Sequence, residues 1–155
     1  MFKVIYGQDD VLIPWAAKRI GIASFKPDAT AIGQERNGEI VAVVVFDGFS
    51  DVDCNIHIAS DGSGRWLTRE LLARAFAYPF IQLGYPRVTG LVPAGNNDAL
   101  RFDEHLGFKR EGYHRKAAPD GGDIISLGLL REDCRYIPKE YRIGSGNEKQ
   151  EARHA

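Results

Sequence analysis

The stretch best suited to chemistry is a turn of small residues, Ser60, Asp61, Gly62, Ser63 and Gly64, followed by Arg65 and Thr68. Glycines leave bare backbone that an anion can approach closely. Ser63 and Thr68 carry hydroxyls, and Arg65 carries a full positive charge. A helix entrance at this point would add unpartnered N–H groups and roughly +0.5 of dipole charge, so a phosphate is the ligand it would take. The plain alternative is a turn with a surface arginine. No pair of His or Cys has metal-ligand spacing, so no metal site is expected.

The elements that must position this turn lie on either side of it. Cys54, Ile56 and Ile58 alternate with Asn55, His57 and Ala59, the period-2 pattern of a strand. After the turn, Leu67, Leu71, Leu72, Ala75, Phe76, Phe80 and Leu83 recur at helical spacing, which predicts a long helix with one buried side. Pro79 removes an N–H inside it and predicts a kink near Ala75.

With 155 residues the chain suits one domain with a real core. A hydrophobic fraction of 44% and a charged fraction of 26% are those of an ordinary globular protein. The net charge of −1 provides no basic field for nucleic acid or an anionic membrane. Two cysteines, Cys54 and Cys134, do not make a disulfide scaffold, which points to a reducing cytoplasm. The first ten residues hold no long apolar run, so neither a signal peptide nor a membrane span is expected.

In chain order, residues 2–6 read as a strand. A helix capped by Asp9 or Asp10 follows, with Val11, Leu12, Trp15, Ala16 and Ile20 on one face and Gly21 as its stop. Residues 30–36 and 39–46 read as a hairpin joined by Asn37 and Gly38, and the continuous apolar run of the second predicts a central strand covered on both faces. Residues 87–92 form a strand. Asn97 or Asp98 then caps a short helix ended by Gly107, and residues 108–116 and 123–130 make a last hairpin. Residues 136–155 read as a C-terminal extension to a domain of residues 1–135, ending in a disordered tail. The order predicts an α/β fold: one mixed sheet of about seven strands with helices on both faces.

Residues 96–113, NNDALRFDEHLGFKREGY, carry a resemblance beyond this pattern. They resemble the GNAT (Gcn5-related) N-acetyltransferase segment of asparagine, short helix, Leu-Gly-Phe and a strand opening on Glu-Gly. Leu106, Gly107, Phe108, Glu111 and Gly112 fit it in type and spacing. The resemblance covers about residues 1–130. It implies an acetyl-coenzyme A-dependent N-acetyltransferase acting on a primary amine of a small molecule, peptide or protein, or else a GNAT-fold module that keeps acyl-coenzyme A without catalysis.

For the cofactor, the resemblance implies a phosphate loop in which Gly62 and Gly64 fit the last two places, while Ala59 stands where a Gln or Arg is usual. A second register places Ser63 first with Trp66 and Leu67 behind it. Backbone amides from Gly62 to Thr68, with Arg65, would then hold the diphosphate. Ile58, Ala59 and Ser60 would offer open backbone to the pantetheine arm, with Asn96 and Phe102 beside it. A lysine-type amine has a pKa of about 10.4, so its attack on a thioester needs a base or a dry pocket. His57 is the first candidate, with Asp53 and Glu35 behind it, and the Ile58 N–H would face the carbonyl oxygen. Many members carry a tyrosine acid seven places after the asparagine. That place is Asp103, which if ionised cannot donate a proton, so Tyr113 does so or the acid is dispensable. The acceptor pocket would include Trp15, Phe25, Asp47, Asp51, Asp53, Pro119 and Asp123. The oligomeric state stays open, with a homodimer one option.

Overall fold

Residues 41–47 are all buried, as a strand covered on both faces must be. They belong to β3 (Glu39–Asp47), near the middle of a seven-stranded sheet. The structure is a computed structural model that describes residues 1–64 and 66–142. Arg65 and residues 143–155, where the tail was expected, lie outside the described residues.

The sheet runs in the order β1 (Phe2–Ile5), β2 (Thr30–Arg36), β3, β4 (Asn55–Ser60), β5 (Arg87–Pro93), β7 (Ile124–Leu130), β6 (Lys109–His114). Neighbours are antiparallel except β4 and β5. Asn37 and Gly38 turn β2 into β3 with φ of 53° and 84°, the left-handed pair that their residue types favour.

α1 (Asp9–Ile20) lays Leu12 and Ala16 on Ile5, Ala31, Val43, Val45 and Ala59. It sits so close that a Cβ at Gly33 would lie 2.6 Å from Leu12 Cδ2. α2 (Arg69–Ala77) and α3 (Asn97–Leu106) cover the other face, where Leu71, Phe76, Leu100 and Leu106 join Val44, Phe46 and Leu127 in the larger core. Helices thus flank both faces, as the α/β pattern predicts.

Several details refine or differ from the reading of the sequence. The long helix starts at Arg69 rather than directly behind the glycine turn, because Thr68 accepts the Leu71 N–H at 3.1 Å and caps it there. The effect of Pro79 is a change of helix type just past Ala75: the α-helix runs to Ala77 and continues as a π-helical turn, Tyr78–Gln82. Asn96, not Asn97 or Asp98, caps α3 by accepting the Ala99 N–H at 3.2 Å. The chain also stays on the core beyond residue 135, with Tyr136 stacked on Phe76 and Ile137 buried before a last short helix, α4 (Lys139–Arg142).

Candidate active site

β4 and β5 run parallel but pair only at Asn55 and Thr89, and then diverge. Around that point Thr89 N–H donates to the Cys54 carbonyl at 3.0 Å, Thr89 Oγ1 donates to Asp53 Oδ2 at 2.7 Å, and Arg87 reaches the same carboxylate at 3.4 Å. Beyond this clip a cleft of about 350 Å³ opens. His57, Ile58, Ala59 and Ser60 form one wall, Asn96, Phe102 and Asp103 of the α3 region another, and Arg19 closes it from α1.

Strand alternation aims backbone into this opening. Asp61 N–H donates to the Val41 carbonyl at 2.9 Å, so the odd-numbered residues of β4 bond toward β3. The Ile58 N–H and C=O then point toward β5, across the space where β5 has moved away. Bare backbone polar groups on a cleft wall are what an amide-bearing chain such as pantetheine can pair with as an added strand.

His57 Nε2 lies 2.9 Å from Asp47 Oδ1, and Asp47 Oδ2 accepts the Lys26 N–H at 3.1 Å. Phe25 packs on the imidazole with ring centroids 5.1 Å apart. Burial works to raise the Asp47 carboxyl, but hydrogen bonds from His57, Lys26 and Asn55 outweigh it and hold it below the usual range. An ionised Asp47 requires the hydrogen on Nε2, which leaves the lone pair on Nδ1. Asp47 is only 3% exposed.

Asp103 also lines the cleft. Burial pushes its carboxyl up to about 6, against the opposing pull of His57. A protonated fraction of this aspartate therefore persists to higher pH than for an ordinary carboxylate.

Other expected site residues are placed elsewhere. Tyr113 is exposed on β6 and donates to Asp123 Oδ2 at 2.5 Å, away from the cleft. Asp53 belongs to the clip with Thr89 and Arg87, and Glu35 lies on β2 opposite Lys3, so neither lines the cleft. Thr68 spends its hydroxyl hydrogen on Gln34 Oε1 at 2.7 Å, while Gln34 Nε2 donates to the Trp66 carbonyl. Gln34, fully buried on β2, thus bolts the segment before α2 to the sheet. Flanked by Gly33 and Glu35, it carries no sequence signal of that burial. Trp66 packs on Phe102, with ring centroids 5.6 Å apart.

The glycine turn has the left-handed backbone its residues suggest, with φ of 82° at Gly62 and 75° at Gly64. Its amides are partly taken: Ser63 N–H donates to Asp61 Oδ1 at 2.9 Å and Gly62 N–H to Ser60 Oγ at 3.3 Å. Two of the turn's amides are thus bonded to side chains of the turn itself. Among the described residues no group of three or more His, Cys, Asp or Glu could hold a metal ion. Both cysteines are buried free thiols, Cys54 pushed up to about 12 by burial, so neither suits a nucleophile.

A sheet split at a parallel pair, with helices on both faces, is the fold this chain shares with solved N-acetyltransferases. A spermidine N-acetyltransferase of Vibrio cholerae, SpeG, in a single-residue variant, superposes with a TM-score of 0.68 at 16% identity, covering 84% of this chain and 92% of that one. The protein yncA of Salmonella typhimurium, solved with its cofactor acetyl-CoA, gives 0.64 at 14% identity over 83% and 93%. In sequence, the uncharacterized SPbeta prophage-derived N-acetyltransferase YokL of Bacillus subtilis is 33% identical over 73 residues, 45% of this chain and 41% of that protein. The match thus spans less than half of that relative. No family model matches. No helix among the described residues is long and apolar enough to cross a membrane.

Proposed function

We propose that the chain transfers an acetyl group from acetyl-coenzyme A to a primary amine of a small molecule, peptide or protein, by direct attack of the amine on the thioester. The observation that carries this reading is the coincidence of the β4–β5 cleft with a carboxylate-oriented histidine on its wall. Ile58 and Ser60 backbone would hold the pantetheine arm, with Phe102 and Asn96 across from it. Gly62, Ser63, Gly64 and Trp66 lie at the diphosphate end, where Arg65 also falls in the sequence. The cosubstrate supplies the activated acyl group. His57 Nδ1 takes the proton from the attacking amine, Asp47 holds the ring and stabilises its charged form, and Ile58 N–H faces the charge that builds on the carbonyl oxygen. Two buried free thiols suit a reducing cytoplasm.

A second reading has one observation in its favour. Asp61 occupies an amide of the phosphate turn, and Ala59 adds no polar side chain there, as in a binding module whose catalysis is weak or lost. Calorimetric titration with acetyl-coenzyme A, followed by thiol release with an amine panel including spermidine and a lysine peptide, separates the two. Saturable binding with amine-dependent thiol release establishes the enzyme. Binding without release establishes the module, and neither would refute both.

A further inference from the structure

Two titratable side chains face the cleft from opposite walls, and the proposed function uses only His57. The other is Asp103, on the second turn of α3. Its Oδ2 lies 3.0 Å from where a Cβ of Gly90 would stand, so the carboxyl rests against the β5 backbone at the position where that strand has no side chain. Its neighbours along the cleft, Ala99, Phe102 and Phe108, are apolar. No hydrogen bond from a described residue reaches the carboxyl. The charged or titratable groups facing it are His57 from β4 and Arg19 from α1, while the β5 residues lining the cleft, Leu91, Val92 and Pro93, add none.

We infer that Asp103 is the proton donor to the departing sulfur of the acyl donor, a catalytic role that rests on the acetyl-transfer reading above. The bond balance is complete. The amine nitrogen bonds to the carbonyl carbon as the carbon–sulfur bond breaks, His57 accepts the amine proton, and Asp103 hands its own to the sulfur. Water in the open cleft then removes a proton from His57 and returns one to Asp103, leaving amide and thiol as net products. A carboxyl near 6 keeps roughly a tenth of its molecules protonated at pH 7, and an acid close to the working pH transfers its proton best.

The test combines a titration with a change of leaving group. Carboxyl carbon NMR of the whole protein should show Asp103 titrating near 6. Asp103→Asn, with wild-type circular dichroism and coenzyme A affinity, should lose on the order of 100-fold in kcat/KM with acetyl-coenzyme A. With an acetyl thioester of a more acidic aryl thiol, which leaves without help, it should lose less than about threefold. If the wild type binds and turns over acetyl-coenzyme A but the variant loses equal factors with both donors, or none, the inference falls and the acetyl-transfer reading stands. A carboxyl titrating near 4 also overturns the inference alone. A wild type that neither binds nor turns over overturns both.

Discussion

His57 and Asp47 sit on adjacent antiparallel strands with Nε2 2.9 Å from Oδ1, although they stand ten positions apart in sequence. The register sets the pair: Asp47 ends β3 opposite Asn55, two places before His57 on β4, and both side chains lie on the α1 face of the sheet. An imidazole held this way has one tautomer and one orientation before any substrate arrives, the condition for an efficient base.

His57→Ala should therefore lower kcat by about 10²–10⁴-fold, while the dissociation constant of acetyl-coenzyme A changes less than about threefold. Asp47→Asn should lower kcat as well, because the amide no longer requires the hydrogen on Nε2. Steady-state kinetics paired with calorimetry checks both. A parallel loss of affinity and rate would make His57 a binding group instead.

Asp61→Asn should tighten coenzyme A binding. The wild-type carboxylate holds the Ser63 N–H and puts a negative charge beside the expected diphosphate position. Its removal should improve affinity by roughly 3–10-fold at low salt, and by less as salt screens the repulsion. Calorimetry at two ionic strengths measures it. Unchanged affinity at both would move the diphosphate away from this turn.

Asp103 carries a stability cost with a definite pH window. Its folded carboxyl lies near 6, above the ordinary value of about 3.9, so folding disfavours its ionised form. No penalty exists below pH 4, where it is protonated folded and unfolded; the penalty grows as pH rises from 4 to 6 and is then constant. Asp103→Asn should stabilise the fold by on the order of 1–3 kcal/mol at pH 7 and hardly at all at pH 3.5. Urea unfolding at the two pH values checks the sign. Asp47 acts the opposite way: its lowered carboxyl stabilises above pH 4, and that contribution fades as pH falls further.

Asp53 and Tyr113 serve as structural controls. Asp53→Asn loosens the clip to Thr89 and Arg87, and should cost roughly 1–3 kcal/mol of stability. Tyr113→Phe loses only an exposed bond to Asp123 and should leave turnover within about twofold of the wild type. Thermal unfolding and steady-state kinetics measure the two. If Tyr113→Phe instead slowed turnover by about two orders of magnitude, the loss expected for a proton-transfer group, that hydroxyl would return to the reaction.

The sheet and its helices were legible in the chain because their signals are local: the buried run of β3, the Asn37–Gly38 turn, and the spacing of Leu71, Leu72, Ala75 and Phe76. His57, Ile58, Asn96 and Phe102 were placed at one cleft by the resemblance, and the structure brings all four there. What is not legible depends on neighbours distant in sequence. Asp47 looks like a loop carboxylate until β4 returns beside it, and Asp103 looks like an ordinary carboxylate until its burial against Gly90 is known. Thr68 and Gln34 form a lock across 34 residues that no spacing rule reports, and that lock explains why α2 starts later than its apolar pattern suggests. Tyr113 has suitable chemistry, but the β6–β7 hairpin turns it to solvent.

The central claim is that the gap between β4 and β5 receives the acyl donor along open β4 backbone. Titrating isotope-labelled protein with acetyl-coenzyme A and following its amide NMR signals tests this most directly. The largest shifts should fall on Ile58, Ser60, Asn96 and Phe102, with His57 close behind. Shifts confined to other surfaces, or none at saturating ligand, would contradict it.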